Sequence, residues 1–189
     1  MPRSKTSIEN TLFVPAVKNQ ESDLELALIA KGEVRLPELK TVDHVDVKRY
    51  MGTWFEIAKF PQRFEKGLVG VSANYSLLAN GKVRVLNTGY KDDFNGKLKT
   101  AKGKARVVDT ATNAKLKVSF FWPFAADYWI IDLGKDYEYV AVGGPSRNYL
   151  WILSRTPRMD GTLYNELLKR MQDKGFDISK LEKNPQKTA

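Results

Sequence analysis

The side chains that carry most enzyme chemistry are nearly missing from this chain of 189 residues. There is no cysteine, which removes thiol nucleophiles, thiolate metal ligands, disulfides and any lipid-attachment thiol together. There is one histidine, His44, so a histidine metal cluster is impossible and a Ser/His/Asp triad would have to use that residue. Asp92-Asp93 is an adjacent carboxylate pair, but it stands just before Asn95-Gly96 and reads as a solvated turn. No carboxylate pair is spaced convincingly for acid–base work. The chain is therefore read as a non-enzyme with no catalytic residue, no metal and no cofactor.

What the chain does concentrate is apolar ring surface. Residues 120–129 read FFWPFAADYW, in which six of the ten are aromatic. Pro123 has no amide hydrogen and cannot sit inside a central strand, so the rings beside it lie at a turn. Turns are normally polar and solvated. A turn made of Phe121, Trp122 and Phe124 implies either a hidden turn or a surface that meets something apolar.

The elements that position these rings follow from a period of two. Short alternating segments occupy 54–60, 71–78, 82–90, 98–108, 114–121, 128–133, 137–142 and 149–155. Asn80-Gly81 marks a tight hairpin turn between two of them, and Asn95-Gly96 marks another turn. Between 98 and 108 the residues Ala101, Gly103, Ala105 and Val107 face one way and Lys102, Lys104 and Arg106 the other. Eight strands with short connections close most simply into an up-and-down antiparallel barrel, which leaves no exposed edge. The fold class expected is thus all-β: an eight-stranded antiparallel barrel, wide enough for one small ligand, with one C-terminal α-helix packed outside. That helix starts at an Asp160 cap, carries Leu163, Leu167 and Met171 on its apolar stripe, and ends before Gly175. It is expected to lie on the face presented by Leu150 and Ile152.

Residues 1–40 carry six basic and six acidic residues, so the net charge of +9 lies wholly in the rest of the chain. The division expected is an extension over 1–43, with a short helix at Asp23 to Ala30; a barrel and helix over 44–186; and a tail over 187–189. No run approaches the roughly 20 apolar residues of a membrane-crossing helix. The start, MPRSKTSIENTLFV, lacks a signal-peptide apolar region. The charge suits an anionic partner: nucleic acid, a membrane surface or an acidic small ligand. Lysines 97, 99, 102, 104, 115 and 117 spread over the fourth and fifth strands and are read as a solvated surface, so nucleic acid is not expected as a partner.

Three short motifs in order resemble the lipocalin family. These are Gly52-Thr53-Trp54 opening the first strand, Asp136-Tyr137 entering the seventh, and Arg155 after the eighth. GTWFEIAKFPQRFEKGL, LKVSFFWPF and NYLWILSRTP are similar to the bacterial lipocalins. DYWIID and GFDISKLEKNPQ are closer to the plant temperature-induced lipocalins, and apolipoprotein D belongs to the same branch. The resemblance covers about residues 44–186. It implies that Gly52, Trp54, Asp136, Tyr137 and Arg155 are structural, with Trp54 closing one end of the barrel and Arg155 stacked across its ring. It implies a carrier of small hydrophobic ligands. Bacterial members are commonly outer-membrane lipoproteins; the compartment is left between periplasm or outer membrane and membrane association without a leader.

In that barrel, Trp151 shares the face of Tyr149, Leu153 and Arg155. The ligand-lining residues expected are Phe60, Tyr75, Val85, Asn87, Ala105, Val118, Phe120, Tyr128, Ile130, Tyr139 and Trp151. Small residues on the fourth strand are expected to leave the cavity open. The ligand expected is a fatty acid, lysophospholipid or similar amphiphile, carried for transport, storage or membrane maintenance. The mouth is expected at Phe64, Leu68, Phe121, Trp122 and Phe124, where the rings serve as a membrane-touching lip, a lid or a homodimer contact. A lipocalin-fold enzyme acting on a small hydrophobic substrate, or a basic nucleic-acid or anion binder, stands as the alternative.

Overall fold

A computed structural model describes residues 36–187; the expected helix at Asp23 to Ala30 lies outside the described residues. Period-two alternation in the sequence becomes eight long strands: β1 (Gly52–Lys59), β2 (Leu68–Leu77), β3 (Val83–Lys91), β4 (Leu98–Val107), β5 (Lys115–Phe121), β6 (Phe124–Leu133), β7 (Tyr139–Gly143) and β8 (Leu150–Ser154). Each pairs antiparallel with the next, and β1 pairs with both β2 and β8, so the sheet closes. A two-residue strand, β9 (Glu182–Lys183), adds to β1. The hairpin at Asn80-Gly81 forms as its residues demand: Gly81 has φ of 76°, which costs a glycine little.

A four-residue helix, α1 (Val47–Tyr50), leads into β1, and α2 (Gly161–Asp173) lies outside the barrel. Asp160 caps α2 by accepting from the Leu163 amide, and Gly175 follows it with φ of 84°. Leu167 and Met171 are fully buried against Ile152 and Leu150, as the apolar stripe predicts. Burying each contributes about 1.5–3 kcal/mol. Arg170 on the same helix reaches Asp132 of β6 at 2.7 Å. The compact unit that holds the barrel runs from Pro37 to Ala189, and within it Leu39 is buried beside Phe60, Met171 and Phe176.

Two bulges decide which side chains enter the barrel. In β1 the pairing with β8 slips between Glu56 and Ala58. Trp54 and Glu56 point inward, but past the extra residue the faces exchange. Ala58 then packs outward against Ile152 and Leu167, and Phe60 outward against Phe176 at 6.3 Å between rings. The expectation that Phe60 lines the cavity is therefore corrected. In β6 the slip falls between Ile130 and Asp132. It sends Ile131 and Asp132 outward together, toward the face α2 covers.

Tyr139 is corrected for a related reason. On β7 it is Val140 and Val142 that join the barrel core, while Tyr139 faces out beneath α2. Its hydroxyl meets Asp132 at 3.3 Å and Arg170 at 3.1 Å. The outer face there offers a tyrosine both polar partners and a helix to pack on.

Candidate functional site

The barrel has a closed end and an open end. At the closed end Trp54 is wholly buried and donates its indole N–H to the Tyr50 carbonyl at 2.9 Å. The Arg155 guanidinium lies 3.8 Å from the Trp54 ring centre. It donates to the carbonyls of Arg49, Thr53 and Tyr137 at 2.7, 3.0 and 3.3 Å. Tyr137, in a left-handed backbone conformation with φ of 61°, receives the Asp46 amide on its hydroxyl and the Arg49 guanidinium over its ring. Asp136 is exposed beside it. Gly52, with φ of 96°, leaves space for Arg155: an added Cβ would stand 3.3 Å from the guanidinium.

Above this plug lies a cavity of about 190 Å³. Tyr75, Val85, Asn87 and Val118 line it, together with Phe120, Tyr128 and Trp151. Ala105 and Ile130 lie lower than expected. They border a separate void of about 10 Å³ next to Val45, Tyr50 and Val83, too small to hold more than one water. They are floor packing, not cavity wall. The small residues of β4 also do less than expected to open the barrel, because the Phe120 ring occupies the space over Gly103; an added Cβ there would stand 2.9 Å from that ring.

Three phenols form the floor. The Tyr128 hydroxyl bonds those of Tyr50 at 2.7 Å and Tyr75 at 2.9 Å. Burial raises all three phenols well above their ordinary value, so they stay neutral and serve as hydrogen-bonding groups. Higher up, the Tyr149 and Trp151 rings stack with planes 5° apart.

The wall between β1 and β2 is the polar part. The two strands pair only from Gly52 to Phe55, then diverge. The chain after β9 closes the gap: Asn184 donates to Glu56 Oε1 at 3.0 Å and to the Leu68 carbonyl at 3.2 Å, and Gln186 donates to the carbonyls of Glu56 and Val71. Leu68 lies under this strap, in an outer groove with Lys183 and Pro185, and is not part of the mouth. Glu56 and Glu65 line the cavity, buried, and Lys59 is buried 4.0 Å from Glu65. Burial pushes the Glu56 carboxyl well up; Glu65 nearby adds to this, and Lys59 and Asn184 offset part of it. Burial likewise raises Glu65, offset by Lys59 and by the Trp151 indole.

Sequence reasoning missed the acidic pair. Glu56 was legible, since it shares Trp54's face by the period of two; Glu65 was not, because it comes from a short 3₁₀ turn, Arg63–Glu65, in the β1–β2 loop. Tyr149 and Leu153 share Trp151's face and line the cavity with it. At the rim Phe64 lines the cavity while remaining 67 % exposed. Phe121, Trp122 and Phe124 are 80, 91 and 78 % exposed at the β5–β6 turn. His44 is exposed just before α1, at the opposite end from the mouth.

Residues 45–186 match the family model of the lipocalin-like domain. The chain belongs to the lipocalin family. This lipocalin is 48 % identical over 139 residues to the outer membrane lipoprotein Blc of Escherichia coli K12, covering 74 % of this chain and 78 % of that protein. It is 42 % identical over 158 residues to temperature-induced lipocalin-1 of Arabidopsis thaliana, covering 79 % and 83 %. Over 157 residues it is 36 % identical to apolipoprotein D of Mus musculus, covering 78 % and 80 %. Among solved structures, insecticyanin from the tobacco hornworm Manduca sexta superposes with a TM-score of 0.65 at 22 % identity, covering 81 % of this chain and 87 % of that one. That likeness bears on the fold. Membership of this family is consistent with binding small hydrophobic ligands.

Proposed function

We propose that this lipocalin is a carrier that takes one acyl chain of a fatty acid, lysophospholipid or similar amphiphile into the barrel, for transport, storage or membrane maintenance. One observation supports it above the rest: an apolar cavity walled by Val85, Val118, Phe120 and Trp151 sits beneath a rim of exposed rings. Each buried methylene contributes about 0.8 kcal/mol, so a chain binds usefully with few polar contacts. At about 190 Å³ the cavity is smaller than the roughly 300–1,000 Å³ of drug-sized sites. That favours a single slender chain whose head stays near the mouth. A carrier and not an enzyme is the reading, because His44 is remote from the cavity and the lining carboxylates have no serine, threonine, cysteine, histidine or lysine beside them among the lining residues.

The exposed rings act as a lip that rests on a bilayer, where tryptophan favours the interface. Mass spectrometry of the protein isolated under mild conditions should find stoichiometric single-chain lipid. Protein that stays empty when offered such lipids speaks against the reading. Products released from lipid esters would show an enzyme.

A further inference from the structure

The charge of the surface does not extend into the cavity. Glu56, Glu65, Asp127 and Asn87 line it, and among the described lining residues there is no lysine or arginine. Asp127 is engaged by Lys117 at 2.8 Å, and one oxygen of Glu56 by Asn184. Glu65 is only 6 % exposed, yet its Oε2 accepts no hydrogen bond. The ammonium of Lys59 is 4.0 Å away, an ion-pair distance too long for a hydrogen bond; Lys59 borders the outer groove, as Glu65 also does, but is not among the residues lining the cavity, and the Trp151 indole acts on the same carboxyl. Asn87 Oδ1 is a second buried acceptor without a partner. Buried acceptors are nearly always satisfied, so two unbonded acceptors lining one cavity call for donors from a ligand.

We infer that the cavity selects the head of its amphiphile by hydrogen-bond donors: it takes a single chain bearing N–H groups, best a primary ammonium, and disfavours a free carboxylate. Glu65 Oε2 and Asn87 Oδ1 are the acceptors, and charge-assisted bonds to Glu65 are the stronger. This reverses the head group that the net charge of the chain suggests. It rests on the proposed chain-binding cavity, and its test separates the two.

The groups facing the Glu65 carboxyl are Glu56 and Lys59 of β1, Tyr75 of β2 and the Trp151 indole of β8. Burial holds both carboxyls above the ordinary range, so the empty pair tends to keep a proton. An ammonium displaces that proton, and its affinity rises with pH. A carboxylate needs the proton retained, and its affinity falls with pH.

Calorimetric titration of the full chain with decylamine, decanoate and methyl decanoate, at about pH 6 and about pH 8 where the amine stays charged, tests this. Decylamine should bind roughly tenfold tighter than decanoate at the higher pH, and the gap should narrow at the lower. Glu65→Gln keeps the shape and should bring the two within about threefold. Asn87→Leu should lower the preference by a smaller factor, and it serves if Glu65→Gln fails to fold. Decanoate binding as well as decylamine while methyl decanoate also binds overturns the head-group inference and leaves chain binding intact. Binding of none of the three overturns both. Full preference retained in the folded variants also overturns it.

Discussion

Trp54 and Trp122 occupy opposite ends of one barrel and are treated in opposite ways. Trp54 is fully buried, its N–H bonded to Tyr50 and its face covered by a guanidinium; Trp122 is 91 % exposed on a hairpin turn. At the closed end every polar group near the ring is satisfied, and the arginine spends its donors on three carbonyls. At the open end the apolar groups are left to water, and buried polar atoms of Glu65, Gln62 and Asn87 lack partners. One end is built for stability, and the other carries unmet interactions that a ligand or a surface can complete. The same residue type thus has no fixed role; its surroundings assign it.

Removing the plug should do the most to break this contrast. Trp54→Ala should destabilise the fold by about 3–5 kcal/mol, the usual cost of deleting a large buried ring. Lipid affinity of the molecules still folded should be unchanged. Urea denaturation checks it, and a midpoint like the parent's would mean the closed end is misassigned. Arg155→Met keeps apolar cover on Trp54 but strips three carbonyls of their donor. A loss of about 2–3 kcal/mol is expected, since hydrogen bonds to a charged group are the stronger kind.

The third prediction concerns pH and the open half of the barrel. Glu56 and Glu65 have raised values when folded, so folding favours their protonated forms. Their contribution is full below the ordinary carboxylate range and is lost as pH rises through the raised values. Glu56→Gln mimics the protonated form, and its Oε1 can still accept from Asn184. The variant should gain stability relative to the parent as pH rises from acid toward neutral. Denaturant midpoints at a series of pH values give the answer; a constant difference would show that Glu56 is not the titrating group.

The smallest effect on stability, and the sharpest test of the open end, comes from the lip. Trp122→Ser with Phe124→Ser should change stability by less than about 0.5 kcal/mol, as exposed sites do. Binding to anionic vesicles should fall severalfold and transfer of lipid from them should slow, with affinity for monomeric lipid nearly unchanged. Altered affinity and faster release would indicate a lid. A shift from dimer to monomer in light scattering, with vesicle binding intact, would indicate a contact between copies.

Much of this molecule is written in local pattern. Alternation over 98–108 gives β4 and its outward lysines, Asn80-Gly81 gives a turn, and Asp160 and Gly175 give the ends of α2. Those features depend on residues a few positions apart, so a single sequence shows them. Gly52-Thr53-Trp54 and Arg155 point to the closed end through the resemblance to the lipocalins that these motifs carry. The rings of FFWPFAADYW disclose the rim, since a proline in that run forces a turn on any strand.

The facing of Phe60 and Tyr139, the acid pair and the strap were decided only by the tertiary structure. A bulge at Glu56 and Ala58 flips Phe60 to the outer face, and its position is set by pairing with β8, nearly a hundred residues later in the chain. Tyr139 turns outward because Asp132 and Arg170 meet it there, three elements that no local period connects. Glu56, Lys59 and Glu65 look like ordinary charges in a polar sequence. They become a buried cluster because β1 and β2 diverge after Phe55 and residues 182–186 return to seal the gap. Alternation fixes which residues share a face, but register and closure fix which face is the inside, and both arise from contacts distant in the chain.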